Sequence, residues 1–82
     1  MKKKSHNKAF GIVLREIRTE RCQTQEALAF DSGLDRTYIS LLELGGRSPT
    51  LDTIMALCQA LDVTLTFVSS RIEEVMRDDR TL

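Results

Sequence analysis

Arg36 and Thr37 directly follow Asp35, and these residue types in this order suit hydrogen-bonded recognition better than bond-breaking chemistry. Asp35 can cap a helix, because its carboxylate accepts from backbone N–H groups left free in an opening turn. Arg36 then stands at the start of that helix. Its planar fork can meet two neighbouring acceptors together, as guanine presents them at O6 and N7, which discriminates by about 1–3 kcal/mol. Thr37 adds a donor and a methyl group that suits thymine. Reactive chemistry has little to work with. His6 is the single histidine, and the chain has no glycine-rich phosphate loop, metal-ligand set or nucleophile motif. Cys22 and Cys58 are too few and too far apart in sequence for a zinc pattern, and read as two reduced thiols with Cys58 in the core. No enzyme activity, cofactor or metal is expected.

The elements that must hold Arg36 lie between Thr24 and Glu43, in the run TQEALAFDSGLDRTYISLLE. Thr24 can cap a first short helix, and Glu26 places negative charge in its opening turn, where the helix dipole favours it. Leu28 and Ala29 are its apolar groups. Gly33 can turn the chain sharply, since glycine reaches positive φ without a Cβ clash. Asp35 caps a second helix over about residues 36–43, with Ile39 and Leu42 on one face at a spacing of three. Two short capped helices about a glycine turn form a helix-turn-helix.

TQEALA, Gly33-Leu34, Ile39-Ser40, Glu43 and the run Gly46-Arg47-Ser48-Pro49-Thr50-Leu51, in that order and spacing, closely resemble the Xre-type helix-turn-helix family of lambdoid repressors and Cro proteins. Within it, Asp35 to Ser40 looks most like the controller proteins of restriction–modification systems. The match spans roughly residues 10 to 63. The resemblance implies an all-α fold, a compact five-helix lambda-repressor-like domain, and a recognition helix lying in the major groove with its first residues at the base edges. It also implies a homodimer on a palindromic or nearly palindromic operator in double-stranded DNA. Arg36, Thr37 and Leu41 are then the candidates for base readout. Leu41 has two readings, contact with a thymine methyl or an exposed residue shielded by Phe30. Gln25, Ser40, Arg47 and Ser48 are candidates for phosphate, Gln25 through the N-terminus of its helix and Ser40 with a small packing residue as its other reading. The resemblance also implies that Tyr38 touches the DNA backbone. In lambdoid repressors the residues matching Arg18 and Glu43 form a structural ion pair, which makes that the expected role of Arg18 here.

Eighty-two residues make one small domain of marginal stability, for which pairing with a second copy is a natural supplement. Net charge is zero, yet residues 1 to 47 hold nine Lys/Arg against six Asp/Glu, and residues 48 to 82 hold three against six. A positive DNA-facing end is therefore compatible with a neutral whole. No apolar run is long enough to span a bilayer, and Phe10 to Leu14 is too short for a signal peptide, so a cytoplasmic protein is expected.

Residues 1–7 read as a polar, flexible basic arm, residues 8–77 as the DNA-binding domain with a C-terminal dimerisation segment, and residues 78–82 as a frayed tail. Helix 1 is expected from about Lys8 to Arg21, with Phe10, Val13, Leu14 and Ile17 as its stripe. Cys22 stands where family members usually carry glycine. Exposed Phe30 is expected to be partly covered by a neighbour, or else to contact a partner. Thr50 caps helix 4, whose Leu51, Ile54, Leu57, Cys58 and Leu61 should pack on helices 1 and 3. Residues 63–68 alternate like a strand, but a fifth helix from about Thr64 to Arg77 is favoured. Leu65, Phe67, Val68, Ile72 and Val75 are the expected dimer interface, with Phe67 and Val68 as surplus apolar surface. The alternative to a dimeric transcriptional regulator is an antitoxin that binds a toxin protein and represses its own operon.

Overall fold

The computed structural model describes residues 5–78. Five helices follow one another: α1 (Ser5–Glu20), α2 (Gln25–Ser32), α3 (Arg36–Glu43), α4 (Leu51–Leu61) and α5 (Leu65–Arg77), with no strand among the described residues. Threonine or aspartate opens each of the last four. The side chains of Thr24, Asp35, Thr50 and Thr64 accept from the backbone N–H of Ala27, Thr37, Thr53 and Phe67 at 3.0–3.1 Å. Gly33 ends α2 at φ +74°, and its N–H returns to the carbonyl of Ala29 at 2.9 Å. Cys22 and Asp62 take the same left-handed conformation, at φ 57° and 56°, where a Cβ is a burden.

Val13, Ile17, Leu28, Ile39 and Leu42 are the largest fully buried side chains, and they join α1, α2 and α3 in one core. Of the four glycines, Gly11 lies closest to the backbone of another element. A Cβ there would lie 2.4 Å from the Leu42 carbonyl oxygen and 2.6 Å from that of Glu43. This glycine therefore sets how nearly α1 can lie against the end of α3.

Several expectations are corrected. Helix 1 begins at Ser5 rather than Lys8, so residues 5–7 do not belong to a loose arm. The cause is Asn7, which is only 4% exposed and donates from Nδ2 to Ser48 Oγ at 2.7 Å. The remainder of the arm, residues 1–4, and residues 79–82 of the tail lie outside the described residues. Helix 1 stops at Glu20, one residue earlier than expected. Leu51 does not pack, being 63% exposed, whereas Leu57, Cys58 and Leu61 of α4 join the core shared with α1 and α3, and α4 also lies against α2 and α5. Phe30 is 89% exposed, without the cover expected for it.

The strand-like alternation of residues 63–68 yields to a helix because Thr64 caps it and the apolar spacing beyond is three and four. Val68 is buried in the subunit's own core, with Ile72 and Val75 half-buried against it. Val68 is thus not surplus surface: in a helix it falls on the same stripe as Ile72, four residues on. Phe67, its neighbour, does face outward. Arg71 lies over the Phe67 ring at 5.6 Å and also grips Glu16 and Glu20, which ties α5 to α1.

Candidate nucleic-acid interface

The opening turn of α3 stands clear of the core. Asp35, Arg36 and Thr37 are exposed, whereas Ile39 and Leu42, further along the helix, are buried. The helical period turns Thr37 away from Ile39 and Leu42, whereas Arg36, three residues before Ile39, is exposed as the first residue of the helix. The Arg36 side chain is 54% exposed, and its Nε donates to Glu26 Oε2 at 2.9 Å. A hydrogen bond from Glu26's own backbone N–H, and then the charge of Arg36, hold that carboxyl below the ordinary carboxylate range. Leu41 and Ser40 are half-buried, and Tyr38 is half-buried against the core rather than fully presented. Arg47 is exposed in the loop after α3.

Two phosphate candidates are already engaged. Gln25 Nε2 donates to Glu43 Oε1 at 3.0 Å, and Ser48 Oγ accepts from Asn7. Gln25 is therefore drawn toward the end of α3. Its amide shares Glu43 with Arg18, whose Nε and Nη2 donate to Oε2 and Oε1 at 2.6 and 3.1 Å. Arg18 Nη1 also donates to the Gln23 carbonyl at 2.8 Å. With side chains 12% and 5% exposed, Arg18 and Glu43 form an internal tie. Hydrogen bonding to Glu43 raises the Arg18 pKa against the opposing effect of burial. All three nitrogens of Arg18 thus donate inside the domain, and its side chain is only 12% exposed.

Sequence reasoning missed three features. Glu26 is noticed only for the helix dipole, although a carboxylate early in one helix and an arginine first in the next could have flagged a bridge across the turn. Gly11 sits unmarked inside a helical apolar run, where a glycine hints at close approach of another backbone. Asn7 gives no local signal at all. Among the described residues, no group of three or more His, Cys, Asp or Glu could hold a metal ion, and no single helix is long and apolar enough to cross a membrane.

Comparison with known proteins bears on the same region. A family model described as helix-turn-helix matches residues 14–68. The control protein C.BamHI of Bacillus amyloliquefaciens is 46% identical over 55 residues, which cover 66% of this chain and 68% of that one. An uncharacterized HTH-type transcriptional regulator of Sinorhizobium fredii is 38% identical over 74 residues, 90% of this chain and 88% of its own. Among solved structures, the restriction–modification controller protein C.AhdI of Aeromonas hydrophila superposes with a TM-score of 0.76 at 42% identity, covering 78% of this chain and 97% of that one. The controller protein C.Esp1396I, solved as a tetramer with its natural 35 base-pair operator, gives 0.79 at 32% identity, covering 84% and 91%.

Proposed function

The chain belongs to the helix-turn-helix family, and from that premise we propose that it is a sequence-specific regulator of transcription that binds double-stranded DNA as a homodimer. The observation that carries this reading is the exposed, Asp35-capped first turn of α3, which offers Arg36 and Thr37 to solvent at the start of a helix that Ile39 and Leu42 lock into the core. In the major groove those two side chains meet base edges, and Leu41 follows one turn along. Arg47, with Tyr38 and Ser40 beside the recognition turn, contacts the phosphate backbone. Gln25 and Ser48 serve there through whatever hydrogen-bonding capacity Glu43 and Asn7 leave them.

The second copy docks on α5. Leu65 and Phe67 are 38% and 41% exposed there, next to half-buried Ile72 and Val75. Relatives named as control proteins support a regulator of restriction–modification genes. The antitoxin alternative has no relative among the compared proteins named as an antitoxin to support it. The same relatives, named as control proteins, support a regulator rather than an enzyme. The test is binding of labelled duplexes by Arg36→Ala and Arg47→Ala. The first should relax preference at one position per half-site, and the second should weaken binding to all sequences alike.

A further inference from the structure

Two of the Arg–Glu pairs that join helices, Arg18 with Glu43 and Arg36 with Glu26, leave their arginines in opposite conditions. Glu43 takes both Nε and Nη2 of Arg18, and the Gln23 carbonyl takes Nη1, inside the protein. Glu26 takes only the Nε of Arg36. The two terminal nitrogens of Arg36 have no partner among the described residues, on a side chain that is 54% exposed.

We propose that Glu26 is a positioning residue for base readout, holding Arg36 in one orientation so that its two terminal nitrogens address a single guanine. The inference rests on the DNA-binding reading of α3 and adds a determinant to it. Glu26 is the second residue of α2 and Arg36 the first of α3, so the bond crosses the turn and links the two helix starts. A guanidinium is planar, and fixing Nε fixes the direction of the remaining fork. Without that restraint, a long arginine stem samples many rotamers, and nearby phosphates attract its charge whatever the sequence. The Glu26 carboxylate opposes both tendencies. It selects a rotamer, and its negative charge, 68% exposed, repels phosphate oxygens that would compete for the same arginine.

The test measures anisotropy of the full chain with a duplex recovered by random-library selection, and with the same duplex carrying adenine in place of the guanine whose preference Arg36→Ala abolishes. Glu26→Ala should lower the guanine preference about tenfold, within the range one bidentate contact supplies. Its binding to unrelated duplex should tighten, with a salt slope steeper by about one phosphate contact. Glu26→Gln, which keeps an oxygen acceptor for Nε, should retain more of the preference than Glu26→Ala. A fold weakened by the substitution would lower all affinities together, without moving the preference or the slope. If Glu26→Ala keeps the wild-type preference while Arg36→Ala loses it, the positioning role is overturned and the DNA-binding reading stands. Glu26→Gln as unselective as Glu26→Ala also overturns it. If Arg36→Ala itself keeps the preference, the readout role of Arg36 fails, and the role of Glu26 with it.

Discussion

Arg18 in α1 and Glu43 at the end of α3 are joined by two hydrogen bonds, Nε to Oε2 at 2.6 Å and Nη2 to Oε1 at 3.1 Å. Because both side chains are nearly buried, the pair sets how α1 and α3 are oriented more than it adds net energy. Arg18→Ala or Glu43→Ala alone should cost about 3 kcal/mol, since each strands a buried charge. Replacing both with apolar residues, Arg18→Met with Glu43→Leu, should cost much less than the two single changes summed. Urea unfolding of the four chains measures the coupling, and additive losses would remove the pair's structural role.

Gly11→Ala should be severely destabilising, by more than the ~1–3 kcal/mol of ordinary overpacking. Its Cβ would meet backbone carbonyls at 2.4 and 2.6 Å, and backbone cannot step aside as a flexible side chain can. The denaturation midpoint reports the loss. An alanine variant of near wild-type stability would mean that α1 and α3 are not so close.

Cys22→Gly should stabilise the chain, by roughly 0.5 kcal/mol. A left-handed residue with a Cβ costs about 1–2 kcal/mol, and the looser unfolded chain that glycine brings offsets part of that gain. Thermal unfolding of the wild type and the variant checks the sign.

The two thiols should behave differently. Exposed Cys22 should react at once with a thiol reagent, and buried Cys58 only as the chain unfolds. Burial raises the Cys58 pKa above its ordinary value of 9.0. The folded chain then holds this proton more tightly than the unfolded one. Its contribution is full below pH 9.0 and is lost as pH rises through the folded value. Stability against pH should therefore fall more steeply above pH 9 in the wild type than in Cys58→Ala.

Phe67→Glu should shift the chain from dimer to monomer and weaken operator binding, while leaving the helical fold intact. The ring is 41% exposed, so the charge enters no core. Sedimentation and circular dichroism together separate loss of pairing from loss of structure.

Local signals made most of the fold legible. Thr24, Asp35 and Thr50 announce caps, Gly33 the turn, and the stripe from Phe10 to Ile17 the first helix. What escaped depends on contacts distant in sequence. Asn7 joins a helix because Ser48 receives its amide, 41 positions away. The fifth helix is legible in the spacing from Leu65 to Val75 although residues 63–68 also alternate, but the burial of Val68 beside Ile72 is not. At the site, residue type alone makes Gln25 and Ser48 attractive for phosphate, but the fold places Glu43 and Asn7 within reach of them first. Arg36 is legible by type and position, whereas its bond to Glu26 depends on how two helix starts come together.

Selection of bound duplexes from a random DNA library tests the central claim most directly. The account predicts enrichment of a palindromic or near-palindromic site, with half-sites one helical turn apart, about 34 Å centre to centre. It also predicts a guanine in each half-site whose enrichment disappears with Arg36→Ala. Recovery of no enriched sequence, or of a site without twofold symmetry that Arg36→Ala selects equally well, would contradict it.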